Sequence, residues 1–461
     1  MKILNWARLH LQRRTIKFPI VGIFLTSFVV YFQFTLRGIR PTQDDYAILG
    51  QVAEYGIWGM LLDSWKNHGG NLFPMFINAL SLMPSQKGFE FYGLTILAIT
   101  TLVLLLFAFQ SIFIVFFPSL TFEMGKWKVL GSSAFFILGF ESLFTPQLAE
   151  ILSFSSAVLV HLWPICFFLI GIRIAKKQSL GLSIFLFFLG ILMGNGNISE
   201  SIFISTTLII LIFHTSVGYK FLDWKSQLQV RSLLSLLIGS AIGLALIISA
   251  PGFWVRATDQ TVNGIPDSFI SITERFFKSL VIFSADFLSH PIFYLCILLG
   301  IIFLRQAKYK LALRSSFRII LIMQGLLFSV LVSGATFAYP AWHQSIGLYL
   351  FAPFIGLTLS GFIDRKRKAI WDVATFLVFL LVIGINARGV ELLSNRGIHW
   401  DLNRHANYCA ALSSPTGEFL GAEIRYQPFA LGIEDLSRWD WMADSFRDWV
   451  QSDDFISDST C

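Results

Sequence analysis

Charge is what this sequence has least of. Only 14% of its 461 residues are Asp, Glu, Lys or Arg, while 55% are hydrophobic and 48 are Phe. A soluble globular chain carries about 25% charged residues. The deficit comes in long uncharged runs, so lipid is the expected solvent for most of the chain. Cysteine is also sparse. The four present have no spacing that suggests a zinc site, and Cys166 and Cys296 fall inside apolar runs, where a thiol packs as a small hydrophobe. No Walker loop, dinucleotide fingerprint, HExxH pair or nucleophile elbow occurs. Soluble nucleotide chemistry inside the cell is left without support. No fixed-period repeat and no low-complexity tract stands out. The net charge of +7 calls for no nucleic-acid partner, because basic residues flanking membrane helices account for it.

What is there is a series of membrane-length apolar runs. A helix needs about 20 apolar residues to cross a bilayer. That rule places spans near 18–36, 91–118, 129–145, 150–172, 180–195, 201–217, 232–250, 290–304, 317–338, 343–362 and 370–387. The expected fold is therefore all-α, a polytopic transmembrane bundle of about 11 spans (about 9–13). Residues 1–17 form a basic cytoplasmic leader, 18–387 the membrane domain and 388–461 a polar tail. The first apolar run is long enough to span, and no small-residue cleavage site follows it, so an uncleaved first helix is expected. Segments 72–83 and 276–288 are too short or too polar at their edges to cross, and read as re-entrant or interfacial helices.

Alternate connections hold most of the Lys and Arg. Examples are Arg13, Arg14 and Lys17; Arg173, Lys176 and Lys177; Lys225 and Arg231; Arg314 and Arg318; and the run Arg365–Lys368. Positive charge marks the cytoplasmic side. That puts the N-terminus inside and, with an odd number of spans, the tail outside. A Cys409–Cys461 disulfide is compatible only with a tail outside the cytoplasm. Acidic residues, Trp, His and Asn then gather on the outer face, in the 37–90 loop, the 195–200 turn, the 251–289 loop and the 339–344 turn.

Three stretches on that face carry candidate chemistry. Asp44–Asp45–Tyr46 ends the first span. A carboxylate there can deprotonate an acceptor hydroxyl or hold a metal beside a phosphate; the plainer reading is a cap on the next helix. Segment 47–65 follows, with Ile48, Leu49, Val52, Tyr55, Leu62 and Trp65 at helical spacing and Gly69–Gly70 as breakers. Gly194–Asn195–Gly196–Asn197–Ile198–Ser199–Glu200 frees the backbone to approach a ligand, or is a tight turn in which Ser199 and Glu200 start a helix. Pro251–Gly252–Phe253–Trp254–Val255–Arg256 ends another span; its Arg can grip a phosphate or snorkel at the interface. His343 starts a later helix. Glu141 and His161 fall within spans, as functional candidates or as a structural Glu–His pair. In the tail, 434–450 reads as an amphipathic helix.

The order Asp–Asp–Tyr (44–46), Asn-x-x-Glu (197–200) and Pro–Gly-x-x-x-Arg (251–256) resembles the GT-C superfamily of polytopic glycosyltransferases. Within it, the likeness is to the bacterial members that decorate surface polysaccharide. Trp400–Asp401 matches the Trp–Asp segment that often follows their last span. The resemblance implies a GT-C-like fold in the inner membrane, a polyprenyl-phosphate sugar donor, and a glycan or lipid-linked acceptor on the outer face. It implies Asp44 or Asp45 as catalytic base, and Tyr46, Lys66, Asn197, Glu200, Arg256 and His343 as substrate contacts. A divalent cation is compatible with this chemistry and not required by it; no metal ligands are assigned. Where such loops often read Trp then Gly–Arg, this chain has Trp65–Lys66–Asn67–His68–Gly69–Gly70. Where a late outer turn often has Arg, it has Trp342–His343–Gln344. Those departures would hand the phosphate contacts to Lys66 and His343. The competing classes are a transporter or flippase for lipid-linked saccharides, a polysaccharide polymerase or ligase, and a structural membrane subunit. A transporter would favour internal repeats and helices broken near the midplane.

Overall fold

The computed structural model describes residues 43–83, 92–116, 155–217, 228–259 and 269–289, with residues 130, 133, 318 and 324 standing alone. Apart from those single residues, the leader, the spans near 18–36, 129–145, 290–304, 317–338, 343–362 and 370–387, and the tail with Cys409, Cys461 and its 434–450 segment lie outside the described residues. Among the described residues all regular structure is helical. Helices α1 (Gln43–Asp63), α2 (Leu72–Leu82) and α3 (Tyr92–Phe116) come first. A short helix, Ser155–Ala157, and a π-helical turn, Val158–Leu162, lead into α4 (Trp163–Ile174). Then follow α5 (Leu180–Gly194), α6 (Ile198–Val217), α7 (Val230–Ser249), α8 (Pro251–Asp259) and α9 (Phe269–Ser289).

Of these, α3, α6 and α7 are long and apolar enough to cross a membrane, and α2, the 158–174 stretch and α5 are shorter apolar helices. The chain is a membrane protein on this evidence. Many large apolar side chains, including Ile96, Phe107, Phe188, Ile209 and Ile238, are exposed, as on a lipid-facing surface.

The structure modifies three sequence expectations. The 47–65 helix forms but begins at Gln43, and it is kinked at Gly56, whose φ of 67° and ψ of 172° suit only glycine. Before the kink Ile48, Leu49 and Val52 are buried; after it Met60 and Leu61 are buried, while Tyr55 and Leu62 are exposed. On a straight helix Leu62 would share the face of Ile48, Leu49 and Val52; the kink turns the second half so that Met60 and Leu61 face inward instead. The second modification concerns 251–289, read as a loop holding a short helix at 276–288: a helix is found there but starts already at Phe269, as α9, and Pro251–Asp259 forms a further helix, α8. The third is the 195–200 turn. Helix α6 starts already at Ile198, so the turn proper is Asn195–Asn197.

Helices α5 and α7 run parallel and almost touch. A Cβ on Gly190 would meet the Leu236 carbonyl oxygen at 2.5 Å, and one on Gly194 the Ser240 carbonyl oxygen at 2.1 Å. On the other side, a Cβ on Gly239 would meet the Phe187 oxygen at 2.1 Å, and one on Gly243 the Ile191 oxygen at 2.4 Å. Two Gly-x-x-x-Gly stripes therefore face each other. Helices bathed in lipid gain little from hiding apolar surface and associate instead through such close backbone packing. Ser205 and Ser240 add a 3.0 Å hydroxyl bond between α6 and α7.

Helices α3 and α4 also run parallel. Trp163 Nε1 donates to Thr101 Oγ1 at 2.9 Å, Arg173 to Gln110 Oε1 at 2.7 Å and Lys176 Nζ to the Ile114 oxygen at 3.0 Å. At that same end the Gln229 N–H donates to the Ala175 oxygen and Ser232 to the Lys177 oxygen. The described body thus has a basic end, with Arg173, Lys176, Lys177 and Arg231. The opposite end carries the 64–73 loop, the 195–197 turn and the 250–252 corner.

Candidate functional site

The loop that follows the Asp–Asp–Tyr helix, the Asn–Gly–Asn turn and the Pro–Gly corner meet at the end away from the basic one. Asn195 is the clasp. Its Oδ1 accepts from the Phe73 N–H at 2.9 Å and its Nδ2 donates to the Gly70 oxygen at 2.8 Å. Both are main-chain groups of a loop that would otherwise lose water on burial, so one amide side chain satisfies a donor and an acceptor together. Gly70 lies against the end of α7, where a Cβ would come within 2.6 Å of Ile247 Cα. Gly252 lies against the loop itself, where a Cβ would come within 2.4 Å of the His68 nitrogen. The loop after α1, the α5–α6 turn and the α7–α8 corner are therefore locked together through glycine-sized gaps.

Asp45 is the third residue of α1, in its first turn, and has no exposed surface. Asn78 Nδ2 of α2 donates to its Oδ1 at 3.4 Å, and Ser155 Oγ donates to the same oxygen. Ser155 Oγ also lies 2.6 Å from Asn78 Oδ1, and Ser81 Oγ donates to the Asn78 main-chain oxygen at 2.8 Å. A buried carboxylate is tolerated only when so bonded. Asp45 thereby ties α1 to α2 and to the start of the 155–174 stretch. The side chains of Asp44 and Tyr46 lie outside the described residues.

The exposed polar groups sit one loop further on, where α1 passes into the π-helical turn Ser64–His68. Asp63 accepts from Asn67 Nδ2 at 2.7 Å and from Gln51 Nε2 at 3.2 Å, and its Oδ2 is 3.6 Å from His68 Nε2. Lys66, Asn67 and His68 are all exposed. Tyr55, exposed on the same helix, is held above its usual pKa by its hydrogen bond with Glu54. Trp58, also exposed, stacks on Phe76 of α2 with ring centroids 6.2 Å apart. Amphipathic aromatics of this kind suit the headgroup level of a bilayer.

A second π-helical turn, Val158–Leu162, carries His161. Single π turns inside α-helices occur often at functional sites. His161 Nδ1 lies 2.8 Å from Glu200 Oε1, with both side chains about 5% exposed. Glu200 Oε2 is buried and has no hydrogen-bond partner among the described residues. That oxygen can accept a hydrogen bond from a hydroxyl or a water. The sequence had placed His161 alongside Glu141; the structure pairs it with Glu200, and Glu141 lies outside the described residues.

The remaining candidates sort as follows. Asn197 Oδ1 caps α6 by accepting from the Ser199 N–H at 3.0 Å. Its main-chain oxygen accepts from Ser201 Oγ at 2.6 Å. Lys66 makes no hydrogen bond or ion pair among the described residues. Arg256 is placed in α8, beside the Ser64–His68 turn, but its side chain, like the whole of His343, lies outside the described residues. Asn78 and Ser155, which hold Asp45, were not singled out in the sequence, nor were Asp63 and His68. The first two are ordinary residues until folding brings them across 33 and 110 positions to Asp45. Asp63 and His68 had a signal, a carboxylate and an imidazole beside a Gly–Gly breaker. Among the described residues no group of three or more His, Cys, Asp or Glu gathers to hold a metal. No protein-family model matches the chain, and no curated protein or solved structure does so either.

Proposed function

We propose that the chain is a membrane glycosyltransferase. It would move a sugar from a polyprenyl-phosphate donor to a surface glycan or lipid-linked acceptor, at the outer face of a bacterial inner membrane. The observation that carries this reading is the meeting of the Asp–Asp–Tyr helix and its loop, the Asn–Gly–Asn turn and the Pro–Gly corner at the end of the helical body opposite its basic residues. In this reading the donor enters laterally between helices. Asp44 takes the proton of an acceptor hydroxyl. The freed oxygen bonds to the anomeric carbon as the bond from that carbon to the phosphate oxygen breaks. The phosphate leaves with the electron pair, and the anomeric centre inverts. Lys66 and Arg256, with His343, stabilise the departing anion. Glu200 Oε2 and Asn197 accept and donate hydrogen bonds to sugar hydroxyls, and Tyr46 lines the acceptor side. Asp45, enclosed by Asn78 and Ser155, positions the helix turn that bears Asp44.

The test is sugar modification of surface glycan in cells carrying Asp44→Asn or Asp45→Asn at normal protein levels. Loss of a general base costs typically 10²–10⁴-fold, so Asp44→Asn is expected to abolish detectable transfer. If both variants keep full activity, the catalytic assignment fails.

A further inference from the structure

The basic end of the body has a feature that sugar transfer does not use. Arg173 and Lys176, at the end of α4 and just beyond it, reach the end of α3 and meet no carboxylate among the described residues. Arg173 donates to Gln110 Oε1 and Lys176 to the Ile114 main-chain oxygen. A third cation joins them: Arg318, only 1% exposed, donates to the Val115 oxygen at 3.2 Å. Cations at a helix C-terminus are favourable, because they meet its unpaired carbonyls. That explains one donor from each residue. Lysine has three donors and arginine five, and Arg173 and Lys176 spend the rest on nothing among the described residues. The crowding is felt at Lys176, whose pKa is lowered first by burial and then by the charges of Arg318 and Arg173. Packing like charges together in a half-buried place is unfavourable until an anion joins them.

The surroundings say which anion. Phe107, one turn before Gln110 on α3, is exposed. So are Leu180 and Ile184 in the first turns of α5. The cations thus lie at the end of exposed apolar helix faces, which is where a phospholipid places its phosphate above its acyl chains. We propose that this end of α3 and α4 is a binding site for an anionic phospholipid, with the headgroup phosphate held by the spare donors of Arg173 and Lys176. Basic pockets between membrane helices on the cytoplasmic side bind such headgroups. The site is independent of the sugar-transfer reading.

The test uses the purified full chain in detergent, with bound lipid counted by native mass spectrometry after adding phosphatidylglycerol or phosphatidylcholine. The wild-type protein is expected to retain phosphatidylglycerol about tenfold or more over phosphatidylcholine, given the attraction of two cations. Arg173→Gln with Lys176→Gln should bring that ratio close to one, while Lys177→Gln, at an exposed neighbour, should leave it. A wild-type protein that does not discriminate the two lipids overturns the proposal, and that comparison needs no variant to fold. A double variant that still discriminates overturns it as well. So does full displacement of phosphatidylglycerol by millimolar inorganic phosphate, which would make the ligand a soluble anion.

Discussion

At the residue scale, Asp45 and Asn195 carry the junctions of the described body. Replacing Asp45 with Ala removes, in a buried place, the carboxylate oxygen to which Asn78 and Ser155 both donate. Each buried polar group left unpaired costs about 1–3 kcal/mol, so Asp45→Ala is expected to lower the melting temperature in detergent, while the near-isosteric Asp45→Asn lowers it less. Equal melting temperatures for Asp45→Ala and wild type would remove the structural role. Asn195→Ala orphans the Phe73 N–H and leaves the Gly70 oxygen with the Leu72 N–H alone. We expect increased protease cutting within 63–73 and a lower melting temperature, and an unchanged digestion pattern would count against the clasp. The sequence marked both residues as notable because they sit in polar motifs at the ends of apolar runs. It could not say that Asp45 is enclosed, because the groups that enclose it come from distant positions. Nor could it choose Glu200 over Glu141 as the partner of His161. Both carboxylates are plausible by spacing, and only the packing of α6 against the 158–174 stretch decides.

At the element scale, apolar length and breakers fixed most helices closely. The expected 91–118, 201–217 and 232–250 spans are found as α3, α6 and α7, within about two or three residues at each end, the usual uncertainty of helix termini. Kinks were less visible. Gly56 looks like any glycine in a helical pattern until its backbone conformation is seen, and it turns Met60 and Leu61, not Leu62, inward in the second half of α1. The Gly-x-x-x-Gly stripes of α5 and α7 had a readable signature, yet a signature on one helix does not name its partner. The contact gives a sharp prediction. Gly239→Leu must push α5 and α7 apart, since even a Cβ would sit 2.1 Å from the Phe187 oxygen. Loss of monodisperse protein on size-exclusion chromatography is expected for Gly239→Leu. Gly181→Leu, with open space at its Cβ position, should behave as wild type. Similar profiles for the two would contradict the packing.

At the scale of the whole molecule, the separation of the basic cluster from the candidate site is the organising fact. Arg173, Lys176, Lys177 and Arg231 lie at one end; Asp45, Asn195, Glu200 and the π turn lie towards the other. Positive charge at the cytoplasmic surface would then put the candidate site outside. Single cysteines at His68 and Trp254 should react with a membrane-impermeant maleimide on intact cells or spheroplasts. Cysteines at Lys177 and Arg231 should react only after permeabilisation. Labelling of positions from both ends without permeabilisation would break the two-ended arrangement.

By itself the sequence determined that this chain lives in lipid and is helical. Those properties follow from local quantities: charge content, apolar run length and the positions of Gly and Pro. It also marked the polar stretches, because a carboxylate or amide is conspicuous against an apolar background. Tertiary structure alone decided what those polar groups do to one another. It enclosed Asp45, paired His161 with Glu200, turned Asn195 into a clasp and left Asp63 and His68 in reach of solvent. The physical reason is that the cost of a polar group in an apolar body depends on its partners. Those partners stand up to 125 residues away in the chain.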